Sequence, residues 1–244
     1  PAVTNFQNGL ALSHNHIGGL LRQTGKPEEA LTEYRQALAI FQKLADANPA
    51  VTYFQNSVTS SSLQLAALHA WFGQDKELAA TLERIRAFAK DTKDAATAEH
   101  AAKACSMLPS TSKAEREAAL ALARKGVELG KDLMWREWRL LALGMAEYRS
   151  GHYPAADEAL VAAAKAGPNN PLATGTAAFY RAMSLFRQGK ETEARRLALA
   201  AAATMKPLPK DEQNPLADNA TRDDLILWLA YKEAKALIQF DEKK

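Results

Sequence analysis

The 244-residue sequence lacks several features that would place a protein in a functional class. It contains one cysteine, Cys105, which excludes an internal disulfide and a metal site built from several cysteines. The net charge is +3 and no basic stripe runs along the chain, so nucleic-acid binding is not expected. No apolar run approaches the length of a membrane span, and no signal peptide opens the sequence. We therefore expect a cytoplasmic protein with no membrane segment in this sequence.

Strand-forming residues are also scarce. Val and Ile together number about ten, whereas Ala, which loses no side-chain entropy in a helix, makes up roughly a fifth of the chain. The 12 Gly and 10 Pro are few enough to mark turns between helices. The composition therefore predicts an all-α fold.

An internal repeat organises the first part of the chain. Residues 1–8 read PAVTNFQN and residues 49–56 read PAVTYFQN, and the alignment continues beyond these octets without a gap. Each copy predicts two helices separated by a glycine turn, because Gly25 and Gly73 suit helix C-caps and Pro27 suits a first helical turn. The helices predicted by this pattern are 3–24 and 27–46 in the first copy and 51–72 and 75–91 in the second.

The second half repeats the same design with a shorter period. Gly144 marks a close approach of two helices, Gly151 marks the turn that follows, and Gly189 lies at the corresponding turn of the next unit. This spacing matches the tetratricopeptide repeat (TPR), in which antiparallel helix pairs stack on one another. We predict one domain, 1–244, that forms an all-α TPR-like helical-hairpin solenoid, a right-handed superhelix with a C-terminal capping helix. The predicted repeats are 3–46, 51–91, 95–129, 134–167 and 173–206, and the capping helix is 223–239.

Five strings carry a more specific resemblance. They are NGLALSHNHIGGLLRQTGKPEEALTEYRQALAIFQKLADANPAV, AAKACSMLPS, LALGMAEYRSGHYPAADEALVAAAKAG, FYRAMSLFRQGK and DDLILWLAYKEAKALI. The chain resembles the C-terminal regions of planctomycete-type bacterial serine/threonine protein kinases, which carry kinesin-light-chain-like TPR arrays. In that family a kinase domain precedes the array, so the resemblance implies such a domain upstream in cis. This sequence lacks the glycine-rich loop, VAIK-type lysine, HRD and DFG motifs of phosphoryl transfer, so we expect no enzyme activity from it.

Residues that could support catalysis or metal binding are better explained as structural. His14 and His16 lie two positions apart on a predicted helix and point about 200° apart, so both cannot bind one ion. Cys105 lies in an Ala-rich helix, where a buried structural thiol is expected. We expect no catalytic residue, no metal site and no cofactor.

The candidate partner-binding residues are those that a TPR array turns towards its concave groove, along the first helix of each pair. Aromatic, Met and Arg side chains, which are enriched at interface hot spots, are frequent among them. Arg22, Arg149 and Arg187 suit an acidic or phosphorylated peptide. We expect Arg149→Ala with Arg187→Ala to weaken binding with little change in melting. The candidates are Asn15, His16, Arg22, Gln23, Gln64, Trp71, Trp138, Met145, Tyr148, Arg149, Tyr180, Met183 and Arg187.

Three functions are compatible with the sequence. The first is a protein-interaction module, the scaffold or regulatory region of a bacterial serine/threonine kinase, that binds a protein or peptide partner. The second is a stand-alone TPR adaptor in a bacterial assembly or secretion pathway. The third is an all-α hydrolase or transferase, which requires several titratable groups in one pocket.

The opening octet suggests that the chain is part of a longer array. In the second copy PAVTYFQN follows the end of a second helix, so PAVTNFQN is expected to follow a similar helix. The first helix is then expected to expose apolar surface around Leu10 and Ile17.

Overall fold

The structure, a computed structural model, describes residues 2–131 and 134–240. Within these ranges the chain forms eleven α-helices and no strand, which confirms the predicted all-α fold. In chain order the helices are α1 (Ala2–Gln23), α2 (Pro27–Ala47), α3 (Thr52–Trp71), α4 (Asp75–Ala89), α5 (Ala95–Ser106), α6 (Lys113–Leu129), α7 (Arg136–Arg149), α8 (Tyr153–Ala166), α9 (Pro171–Arg187), α10 (Glu191–Thr204) and α11 (Arg222–Ile238).

Four of the helix pairs are joined by the same type of glycine turn. In each turn the amide that follows the glycine donates to the carbonyl five residues earlier, as Lys26 N does to Leu21 O at 2.9 Å. This bond belongs to the Schellman motif, whose C′ residue adopts a left-handed conformation that glycine tolerates because it has no Cβ. The turn glycines are Gly25, Gly73, Gly151 and Gly189, with φ values of 77°, 63°, 80° and 78°.

The third pair, α5 and α6, begins both of its helices with polar N-caps. The carboxylate of Asp94 accepts a hydrogen bond from Thr97 N at 2.7 Å, and the hydroxyl of Ser112 accepts one from Glu115 N at 3.3 Å. Such caps satisfy amide groups that have no partner inside the helix. They explain why these helices begin at Ala95 and Lys113 without a glycine turn.

The chain divides into two compact units. Unit 1 consists of Pro1–Ile85 and Leu208–Leu225, and unit 2 consists of Arg86–Pro207 and Ile226–Lys244. The boundaries fall within α4 and within α11. The single right-handed superhelix over 1–244 stays a prediction.

In unit 1, α2 packs against both α1 and α3. The close approach of α1 depends on Gly18, where an added Cβ would lie 2.8 Å from Tyr34 Cε1. The buried stripe of α2 that fills this part of the core contains Ala30, Leu31, Tyr34, Ala37, Phe41, Leu44 and Ala45.

In unit 2, α7 packs against α5, α6, α8 and α9. The predicted close approach at Gly144 is confirmed, because an added Cβ there would lie 2.4 Å from Leu160 Cγ on α8.

The part of α11 in unit 2 packs on the last helix pair. Trp228 Nε1 donates to Lys206 O at 2.9 Å, and the Tyr231 ring lies edge-on to Phe179 of α9. This is the position predicted for a capping helix.

Candidate partner-binding surface

Four candidates lie on α1 in unit 1. His16 and Gln23 are exposed, whereas Asn15 and Arg22 are partly buried. The Nε of Arg22 is buried and has no hydrogen-bond partner among the described residues. His14 does not join His16, because its Nδ1 lies 2.6 Å from a carboxylate oxygen of Glu33 on α2. The two histidines therefore diverge, as the helical spacing predicts.

The two candidates on α3 are Gln64 and Trp71, both partly buried. Trp71 Nε1 donates to the backbone oxygen of Glu212 at 2.9 Å, so its polar atom binds the chain's own later segment. Gln64 Nε2 is buried and has no hydrogen-bond partner among the described residues. Trp71 is thus held by an internal contact, whereas Gln64 keeps an unused donor.

The segment Leu208–Leu225 contacts the helices that carry these candidates. Its residues Asn214, Pro215 and Leu216 line a small cavity together with Arg22, Pro27, Ala30, Tyr34 and Leu68. Arg222 Nη1 donates to the backbone oxygen of Ser60 at 3.0 Å and to its hydroxyl at 2.6 Å. Part of the predicted binding face of unit 1 is therefore covered by the chain itself.

Four candidates of unit 2 lie in its core and cannot contact a partner in this structure. Met145 and Met183 are fully buried, Tyr180 is almost fully buried, and Tyr148 is 7% exposed. The rings of Tyr148 and Tyr180 pack edge to face with centroids 5.6 Å apart. This corrects the sequence interpretation, because the same apolar periodicity marks a helix face whether it lines a groove or is covered by another helix.

Arg149 is also a structural residue, which corrects its assignment to a peptide site. Its guanidinium forms a bidentate pair with Glu233 of α11, with Nη2 2.6 Å from Oε2. Its Nε donates to Ser106 O at 2.9 Å and its Nη2 to Met107 O at 2.7 Å. These carbonyls lie at the end of α5, where helices have unpaired acceptors and favour positive charge.

Tyr180 completes this buried network. Its hydroxyl donates to Met107 O at 2.9 Å and accepts from Arg149 Nη2 at 2.9 Å. Burial raises the pKa of Tyr180 above its ordinary value, so the phenol stays protonated and able to donate. Because truncating Arg149 would leave Glu233 and these acceptors unpaired, the expected small effect of Arg149→Ala on melting is also corrected.

The remaining candidates of unit 2 are Trp138 and Arg187. Trp138 is partly buried, and Lys103 Nζ lies 4.3 Å from the centroid of its ring. Lys103 Nζ also lies 2.8 Å from Glu99 Oε1, so the Trp138 ring packs against an ion pair of α5. Arg187 is exposed at the end of α9. Of the two candidate arginines in unit 2, Arg187 is therefore the one that a partner can contact.

The residues considered for catalysis or metal binding lie in surroundings typical of structural residues. Burial raises the pKa of the Cys105 thiol to about 12, so it is protonated and weakly nucleophilic at neutral pH. Over residues 2–131 and 134–240, no group of three or more His, Cys, Asp or Glu side chains could hold a metal ion. The expected lack of a catalytic or metal site stays a prediction.

A tetratricopeptide repeat family model matches residues 10–49. The match covers most of α1 and all of α2, which together form one helical hairpin of unit 1. Together with the repeated glycine-turn hairpins, it confirms an all-α, TPR-like fold. A search of curated proteins found no match to the chain.

In the part of the chain that the structure describes, no helix has both the length and the apolar character needed to cross a membrane.

Two sets of contacts could not be predicted from the sequence. The segment Leu208–Leu225 reads as a Pro-rich loop, and nothing in its composition indicates that Glu212 and Arg222 bind α3. Glu233 lies on α11, a helix with a broad apolar face. A carboxylate in such a helix does not by itself indicate a buried ion pair. Of the thirteen candidates, three are exposed, namely His16, Gln23 and Arg187. Five are partly buried, namely Asn15, Arg22, Gln64, Trp71 and Trp138.

Proposed function

We propose that this chain is a non-catalytic protein-interaction module that binds a protein or peptide partner. The observation that carries the proposal is the TPR match on the α1–α2 hairpin, because TPR repeats generally mediate protein–protein interaction. The proposed surface in unit 1 consists of Asn15, His16 and Gln23, with Arg22 at its edge. In unit 2, Arg187 is a separate proposed contact.

The chemistry of the α1 surface suits a polar or acidic segment of a partner. An Asn side chain offers both a donor and an acceptor, so Asn15 can bind a partner's backbone amide without requiring a particular partner sequence. The α1 sequence contains no Asp or Glu, and Arg22 supplies a positive charge in its last turn. Electrostatic complementarity therefore favours a partner segment without excess positive charge.

We further infer that the module belongs to the scaffold or regulatory region of a cytoplasmic bacterial serine/threonine kinase. The five strings that resemble planctomycete-type kinases support this inference. A kinase domain in cis would then phosphorylate substrates that the TPR hairpins recruit. The open reading frame tests it directly, because HRD and DFG motifs upstream in the same frame would support it. Their absence would favour a stand-alone adaptor in an assembly or secretion pathway.

Affinity capture with the purified chain tests the interaction function. The test variant carries Asn15→Ala, His16→Ala and Gln23→Ala, and the matched control is Gln36→Ala, an exposed amide on α2. We expect the triple variant to reduce partner recovery at least about tenfold, as the loss of hot-spot contacts does. Equal recovery by wild type, triple variant and control would exclude this surface.

A further inference from the structure

An exposed apolar stripe runs along one face of α1. Its spacing of three, four and seven residues places the side chains on the same side of the helix. This side differs from the face of Ala11 and Gly18, which is buried. The stripe consists of Val3, Phe6, Leu10, Ile17 and Leu20, which are 69%, 73%, 41%, 45% and 61% exposed. The exposure at Leu10 and Ile17 agrees with the sequence-based expectation.

The second copy of the internal repeat shows what covers an equivalent stripe. The α3 residues that align with Phe6, Leu10, Ile17 and Leu20 are Phe54, Val58, Leu65 and Leu68. All four are at most 7% exposed. The helix that precedes α3 is α2, which packs against it, and Leu68 lines one cavity with Ala30 and Tyr34 of α2. In the second copy, an apolar stripe of this register is therefore buried on a helix that α2 packs against.

The charge pattern of α1 also fits a helix that is covered on two sides. Apart from Arg22 in the last turn, α1 contains no Asp, Glu, Lys or Arg, and α3 contains none at all. The partly solvated α2 differs, since it carries Glu28, Glu29 and four further charged residues. A partner that covers the α1 stripe therefore desolvates no charged side chain of α1 in the residues that precede Arg22. This lowers the free-energy cost of docking an apolar surface.

We propose that the α1 stripe docks an amphipathic helix that carries the apolar pattern of α2, supplied by a TPR-type hairpin of a partner protein. The required pattern is Ala30, Tyr34, Ala37, Phe41 and Leu44 of α2. The interface would continue the α1–α2–α3 packing by one helix. The polar surface of Asn15, His16 and Gln23 borders this stripe at Leu20. Substitutions at Ile17 test the stripe and substitutions at Asn15, His16 and Gln23 test the polar surface, so the two proposals can fail separately.

A labelled peptide of residues 27–50 is the direct probe. Fluorescence anisotropy with the full chain is expected to show saturable binding that Ile17→Glu weakens at least about tenfold. The matched control is Leu199→Glu, since Leu199 is a partly exposed leucine of α10 in unit 2. Unchanged binding by Ile17→Glu would overturn the proposal. Circular dichroism melting checks that each variant is folded.

Isolated short peptides often form little helix in water, and such a peptide would fail to bind. In that case a fusion protein tests the proposal. A second copy of residues 1–48 is placed before Pro1, where the internal repeat allows a gapless joint. Hydrogen exchange at the amides of the original α1 is expected to slow at least about tenfold, and Ile17→Glu is expected to reverse this. No added protection would overturn the proposal. A dimer of the unfused chain that Ile17→Glu dissociates in sedimentation would also overturn it, because the occupant would be a second copy.

Discussion

The guanidinium of Arg149 and the carboxylate of Glu233 form a bidentate ion pair between α7 and α11, with Nη2 2.6 Å from Oε2. The two side chains are 6% and 23% exposed. The same guanidinium binds the carbonyls of Ser106 and Met107 at the end of α5. One side chain therefore joins three helices of unit 2, and its role is structural.

Glu233→Gln is expected to destabilise unit 2 by about 3 kcal/mol, because it leaves the buried Arg149 charge without its counter-charge. Urea unfolding measures the loss, and hydrogen exchange should show faster opening of α11. The matched control is Glu158→Gln at an exposed carboxylate of α8, where a change below about 0.5 kcal/mol is expected. Equal effects of the two variants would contradict a structural role for the pair.

Arg187→Ala and Arg149→Ala are expected to separate binding from stability. Arg187 is exposed, so its truncation should lower partner affinity while changing the unfolding free energy by less than about 0.5 kcal/mol. Arg149→Ala should cost about 3 kcal/mol or more, because buried acceptors and Glu233 lose their donor. Thermal melting and titration calorimetry measure the two effects. An unfolded Arg187→Ala variant or a fully stable Arg149→Ala variant would contradict this division.

Gly144→Ala and Gly19→Ala are expected to change stability in opposite directions. A Cβ at Gly144 would lie 2.4 Å from Leu160 Cγ, so α7 and α8 must separate at a cost of about 1–3 kcal/mol. At Gly19 no heavy atom of the described residues lies within 4 Å of the added Cβ. Replacing this helical glycine should stabilise the chain by up to about 1 kcal/mol. Urea midpoints that shift in the same direction would contradict the packing at Gly144.

The helix pairs could be predicted because their start and stop signals are local. Gly25, Gly73, Gly151 and Gly189 each end a first helix in a left-handed turn, and no distant contact is needed to place them. The Gly144 approach could also be predicted, because the repeat fixes where two helices of one pair meet.

The candidate site could be predicted only in part, because periodicity shows which helix face is apolar but not what covers it. Met145 and Met183 have groove-like spacing, yet they are core residues of unit 2. The pair of Arg149 and Glu233 spans 84 residues, and the bond of Trp71 to Glu212 spans 141. Contacts at such separations depend on the tertiary packing, about which one sequence carries no direct signal.

Acidification is expected to destabilise unit 1 through His69. This side chain is buried and its Nδ1 lies 2.6 Å from Gln74 Oε1, and burial lowers its pKa below the usual 6.5. The unfolded chain therefore binds the proton more readily than the folded chain. Stability is lost as the pH falls from 6.5 towards the lower pKa of the folded state. His69→Gln should flatten this part of the pH profile in urea unfolding, whereas an unchanged profile would contradict the assignment.

The affinity of the chain for its captured partner, measured by titration calorimetry, tests the proposed interaction surface most directly. The proteins compared are wild type, the triple variant Asn15→Ala, His16→Ala and Gln23→Ala, and the matched control Gln36→Ala. The proposal predicts a Kd at least about tenfold higher for the triple variant and an unchanged Kd for the control. The same Kd for all three folded proteins would contradict it.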